Sequence, residues 1–176
     1  MSAKTINRLM VAIACLAVFY GLLLFWQYQR TAPGAAVPVG TAGLSSTADR
    51  LVIKGGGRTT TLNRRGEKWF VGQKPVGEIK ITNLLKALDE LAFVRVVAAK
   101  PDDLKIYGFD EANGSVLQVY KGKKLLRALY FGGVSAGNTF YVKTDDSPTV
   151  YEAQGDLILE VSQPAGVWTA PQRTVK

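Results

Sequence analysis

Apolar residues run unbroken from Leu9 to Trp26 (LMVAIACLAVFYGLLLFW), about 18 positions without a charge. As a helix rising 1.5 Å per residue, the run would span about 27 Å, close to the hydrocarbon thickness of a bilayer. Trp26 and Tyr28 follow at the position of an aromatic interfacial belt. From Thr31 to Ala48 the pattern vanishes. That stretch (TAPGAAVPVGTAGLSSTA) has no charge and is rich in Pro, Gly, Ala and Ser, the composition of a flexible tether.

Short alternating runs begin at Leu51. Leu51–Lys54, Arg58–Leu62 and Lys68–Val71, separated by glycine-bearing turns, predict a three-stranded meander. Ile81, Leu84, Leu85, Leu88 and Leu91 then recur at steps of three and four, predicting the domain's main amphipathic helix. The β-branched run Phe93-Val94-Arg95-Val96-Val97 marks its end. Ser115–Tyr120 and Lys123–Phe131 flank Lys121-Gly122, which predicts a two-residue hairpin with Leu117 and Leu126 on one side of the sheet. Thr139–Lys143 and Thr149–Glu152 predict another pair, joined through Asp145-Asp146-Ser147-Pro148. A short helix around Asp156–Val161 closes the domain, and the tail from Gln163 looks irregular.

The expected architecture is thus α+β: an N-terminal transmembrane helix, then a small domain of antiparallel strands packed with one main helix. Its expected divisions are a cytoplasmic N-terminus (1–8), a signal anchor (9–28), a linker (29–49), the domain (50–162) and the tail (163–176). Lys4 and Arg8 precede the apolar run, and Arg30 follows it ahead of the uncharged stretch. The positive-inside rule then predicts a single-pass inner-membrane protein with a cytoplasmic N-terminus and a periplasmic or otherwise exported domain. A cleaved signal peptide would have a shorter core and a small-residue cleavage site. A lipoprotein acylated at Cys15 would have most of its apolar run before that residue, whereas here most follows it. A retained anchor, contacting the lipid bilayer through residues 9–28, fits better than either.

Composition narrows the chemistry. The chain contains no histidine, and its one cysteine, Cys15, lies inside the apolar run. The domain therefore lacks the commonest general base, the commonest metal ligand and any thiol. No catalytic residue, cofactor or metal site is expected. Lys54-Gly55-Gly56-Gly57-Arg58-Thr59-Thr60 superficially resembles a phosphate loop, but threonines suited to a strand follow the glycines where a phosphate loop needs a helix. The acidic pairs Asp89-Glu90, Asp102-Asp103 and Asp145-Asp146 have no recognisable ligand spacing and read as solvated charge. Asn113-Gly114-Ser115 matches a glycosylation sequon and reads as a turn.

The order of landmarks carries a family likeness. Lys68-Trp69-Phe70-Val71 precedes the leucine-rich helix, which ends in Phe93–Val97. Leu104-Lys105-Ile106-Tyr107-Gly108-Phe109-Asp110 follows. Then come Tyr130-Phe131-Gly132-Gly133, Gly137–Lys143 and Val150-Tyr151. Over about residues 51–161 this resembles one copy of the domain of unknown function 4340, with Phe109 where leucine is usual. The resemblance implies an exported domain on a single span and carries over no catalytic residues. Some relatives are associated with ABC-type transport or gliding-related export, which implies an accessory role.

Charge adds one binding hypothesis. The formal net charge is +8 and no acidic residue precedes Asp49. Within the domain, Arg58, Arg64 and Arg65 form one basic group and Lys121, Lys123 and Lys124 a second. Placed on one face, these six could rest on anionic lipid or a cell-envelope polymer. The functional expectation is a non-catalytic accessory or scaffold subunit of a membrane-associated complex, with an unidentified membrane-protein partner. The alternative is a binding module for anionic surfaces. No nucleic-acid partner is expected for an exported domain.

Overall fold

The computed structural model describes Leu16 and residues 18–22, 40–110, 114–144 and 147–168. It divides into two units, residues 1–35 and 36–176. In the first, Leu16 and residues 18–22 are helical, and their apolar side chains are exposed, Phe19 by 63%. Among the described residues no helix is long and apolar enough to cross a membrane; most of Leu9–Trp26 lies outside them.

The second unit is built on one nine-stranded, wholly antiparallel sheet. β1 (Arg50–Gly55), β2 (Arg58–Arg65), β3 (Lys68–Val71) and the two-residue β4 (Lys74–Pro75) form the expected meander with one added edge strand. β6 (Ser115–Lys121), β7 (Lys124–Val134), β8 (Thr139–Thr144) and β9 (Val150–Gln154) form a second meander. β1 pairs with β6 to join the two, and β5 (Ala92–Ala98) closes the far edge against β9. The α+β architecture is therefore as expected.

One helix, α2 (Glu78–Asp89), carries the chain from the β4 edge to the β5 edge. Its periodicity does what it predicts, since Ile81, Leu84 and Leu88 are buried against the sheet. Alternation along the strands supplies the other half of this core: Leu51 and Ile53, Leu62, Trp69, Leu117 and Val119, Leu129 and Phe131, Phe140 and Val142. A leucine fully removed from water contributes roughly 1.5–3 kcal/mol. The short α3 (Leu157–Val161) adds Leu157 and Val161 to the same layer.

Three expectations are corrected. The uncharged linker ends earlier than its composition suggests. α1 (Leu44–Thr47) packs on α2, Thr41 and Ala48 are buried, and the Asp89 carboxylate accepts bonds from the Ser45 amide and hydroxyl. Small uncharged side chains permit such close packing as readily as they permit a tether. The tail is also not wholly irregular: residues Ala165–Trp168 form a 3-10 turn, and Trp168 is 1% exposed. Its carbonyl accepts the Gly77 amide at the start of α2, so the folded unit extends beyond 50–162.

The third correction is register. Leu117 lies opposite Leu129, not Leu126. The hairpin turns at Gly122-Lys123, one residue later than expected, with Gly122 at φ +58°. A bulge at Leu126 then adds a residue to β7. Leu126 still reaches the core as a partly buried side chain. The pairing of β8 with β9 follows the expected segments, with Phe140 opposite Ala153 and Val142 opposite Tyr151. Asp145 and Asp146, expected in its turn, lie outside the described residues.

Candidate functional site

Strand register gathers basic residues that are distant in sequence. Arg50 lies between Asn63 on β2 and Tyr120 on β6, Arg65 lies opposite Lys68, and Lys121 lies opposite Lys124. The start of β1, the end of β2, the start of β3, the end of β6 and the start of β7 thus share one rim. Five of the six candidates stand there: Arg64, Arg65, Lys121, Lys123 and Lys124. Arg50 and Lys68 join them, against Asp49 and Glu67. Five adjacent strands about 4.8 Å apart spread this charge over roughly 19 Å.

Local contacts orient the rim without neutralising it. The Arg50 guanidinium lies 4.2 Å from the centre of the Tyr120 ring, and that of Arg65 lies 5.1 Å from the Phe70 ring. Arg65 donates to the Gly72 carbonyl and Gln73 Oε1, and Arg64 Nε donates to the Gly66 carbonyl. These acceptors are uncharged. Asp49 is occupied by the backbone, its carboxylate accepting the Gly122 amide at 2.7 Å. The ion pairs Lys86–Glu90 and Arg95–Glu152 lie elsewhere.

Arg58 does not join the rim. It pairs with Gly55, which also lies opposite Ser115, at the other end of the sheet. Six strand steps separate Arg58 from Arg64, about 20 Å at 3.3 Å per residue. Closeness in sequence along an extended strand is therefore distance in space.

A second constellation was not anticipated. Three of the landmark segments meet on the sheet face opposite the helices. The 3-10 turn Lys105–Tyr107 lays its backbone over β7, where a β-carbon added at Gly132 would stand 2.2 Å from the Tyr107 carbonyl oxygen. Tyr107 packs edge-on against Tyr141 of β8, with ring centres 5.2 Å apart. Glycine at 132 is thus required by the close approach of another backbone, that of the Lys105–Tyr107 turn.

Near this contact, Glu152 is a carboxylate 7% exposed in the middle of β9. Its Oε1 accepts Ser135 Oγ at 2.7 Å and Thr139 Oγ1 at 2.9 Å, and its Oε2 accepts Arg95 Nε at 2.6 Å. The Ser135 bond, with those from Thr139 and Arg95 and the Arg95 charge, holds its pKa below the usual carboxylate value against the opposing effect of burial. One side chain thereby ties edge strand β5 to β9 and to the β7–β8 turn. The available signal was a lone acid within an apolar strand, but its partners depend on which strands pair.

Three other acids have partners of their own. Asp89 binds Ser45, Glu90 lies 3.8 Å from Lys86, and Asp103 accepts the Lys105 amide at 2.8 Å. Among the described residues no group of three or more His, Cys, Asp or Glu could hold a metal. Lys54–Thr60 is the β1–β2 hairpin turn rather than a phosphate loop, and Trp69 is a core residue.

Comparison with known proteins returns one family. The model described as "Domain of unknown function (DUF4340)" matches residues 72–171. The match begins after β3, so it omits Lys68–Val71, but it includes the helix, the Tyr107–Phe109 turn, Gly132-Gly133 and Glu152. No curated protein and no solved structure matches the chain. With more than half of its length matched, the chain belongs to the DUF4340 family.

Proposed function

We propose that the chain is a non-catalytic, membrane-anchored binding module whose exported domain seats an anionic surface on its basic rim. The observation that carries this reading is the convergence of Arg64, Arg65, Lys121, Lys123 and Lys124 on one edge spanning five strands. Each basic residue close to an anionic bilayer contributes about 1 kcal/mol, so five together supply roughly 5 kcal/mol at modest ionic strength. Most of that is screened as the Debye length falls. The anchor reading rests on the uncharged run Leu9–Trp26 and on the exposed apolar side chains at residues 16 and 18–22.

Hydrogen exchange on the full-length chain in nanodiscs tests this reading. Discs rich in phosphatidylglycerol should protect the Arg64–Lys68 and Lys121–Lys124 turns relative to phosphatidylcholine discs. Protection should disappear in high salt and when the five charges are reversed. Equal exchange in both lipids would sink the proposal.

An accessory or scaffold role in a membrane complex of the ABC-transport kind is the second reading. It is favoured by apolar side chains exposed on the second unit, including Val94 and Val96 of edge strand β5 and Ile106 and Val134. A stoichiometric membrane partner retained through purification in moderate salt would support it.

A further inference from the structure

Arg58, the basic residue excluded from the rim, lines a cleft of about 330 Å³ at the opposite end of the sheet. This lies at the lower end of the size range for small-molecule sites. One wall is the β1–β2 hairpin, the second is the start of β6 at Ser115, and the third is the chain leaving α3 at Ser162–Pro164. Ile53 and Val161, 4% and 2% exposed, give it an apolar base. Thr60, Ser115, Ser162 and Gln163 surround that base with three hydroxyls and an amide. Among the described residues that line it, none is acidic.

Each chemical feature restricts the occupant. A guanidinium presents a planar fork that matches a carboxylate in bidentate fashion. Hydroxyls and a carboxamide both donate and accept, which suits a partner bearing several hydroxyls. The apolar base suits the C–H face of a ring. Arg58 is the one charge among the described lining residues, which matches a carboxylate better than a phosphate ester carrying nearly two negative charges at neutral pH. Lys54, the nearest lysine in sequence, alternates to the other face of β1 and does not line the cleft.

We propose that this cleft binds a small hydroxylated carboxylate, a sugar acid, with Arg58 holding the carboxylate and the Thr60, Ser115 and Ser162 hydroxyls holding the ring substituents. The site is separate from the basic rim and stands or falls independently of it. Whether the sugar acid is free or terminates an envelope polymer does not alter the recognition chemistry.

Saturation-transfer NMR on the full-length chain in mild detergent tests the proposal, with D-glucuronate as the probe. D-glucose lacks the carboxylate, acetate lacks the ring, and glucose 1-phosphate carries the larger charge. Glucuronate should give saturable transfer that is at least tenfold weaker in Arg58→Ala and intermediate in Arg58→Lys. Glucose and acetate should give none at the same concentration. Arg58 is exposed, so an unchanged melting curve should verify folding of the variants. Reversal of Lys121, Lys123 and Lys124 should leave glucuronate binding intact. Absence of saturable transfer, equal transfer in Arg58→Ala, or tighter binding of acetate or glucose 1-phosphate overturns the proposal. So does loss of binding on rim reversal.

Discussion

Replacing Glu152 with alanine removes the common acceptor for Ser135, Thr139 and Arg95. A hydrogen bond to a charged group contributes about 1.5–3 kcal/mol, and the 2.7 Å bond from Ser135 is the least shared of the three. Thr139 has a single hydroxyl proton and also approaches the Ala136 carbonyl at 2.6 Å, so its bond to Glu152 counts for less. The Arg95 side chain is 54% exposed, and solvent screening reduces its pairing to about 0.2–1 kcal/mol. The expected loss is therefore about 2–4 kcal/mol. Urea unfolding of the full-length chain, followed through the buried Trp69 and Trp168, measures it.

The pH dependence provides an independent arm. Because the folded pKa of Glu152 lies below its reference value of 4.5, its charged-state stabilisation is present above about that pH. It is lost as pH falls through the lower, folded value. Glu152→Gln keeps an acceptor but not the charge, so the gap between wild type and this variant should be constant near neutrality and close below the reference pKa. A Glu152→Ala cost under about 0.5 kcal/mol, or parallel acid profiles for wild type and Glu152→Gln, would refute this account.

Two further substitutions test the fold. Gly132→Ala places a β-carbon against the Tyr107 backbone, so it should cost roughly 1–3 kcal/mol or more and speed proteolysis at the Lys105–Phe109 turn; an unchanged unfolding midpoint would remove that contact from the argument. Trp168→Ala should cost about 3–5 kcal/mol, the usual effect of emptying a buried aromatic site. A loss below 1 kcal/mol would mean that residues 165–168 are a dispensable tail. The lipid-dependent exchange at the rim and the glucuronate titration at Arg58 complete the set.

Periodicity made much of the domain legible. The steps from Ile81 to Leu88 specify a buried helix face because 3.6 residues per turn brings them into line. Alternation in β1, β2 and β8 likewise marks the positions that face the helical layer. Local composition was a weaker guide at the boundaries. Residues 40–48 look like a tether because small uncharged side chains suit both a coil and a tight contact. Trp168 sits in a segment with no period, and only its contact with the start of α2 reveals it as core.

By itself, the sequence determined the α+β class, the principal helix, most strands and the family, since each follows from local spacing or ordered landmarks. Tertiary structure decided which charges act together. β-pairing joined Arg65 to Lys68 and Lys121 to Lys124 on one rim and sent Arg58 to the other end of an extended strand. It also brought Glu152 to Arg95, 57 residues away, and to the β7–β8 turn. The physical reason is that side-chain alternation assigns a residue to a sheet face, whereas strand order and the bulge at Leu126 decide its neighbours, and those depend on the whole sheet closing around one core.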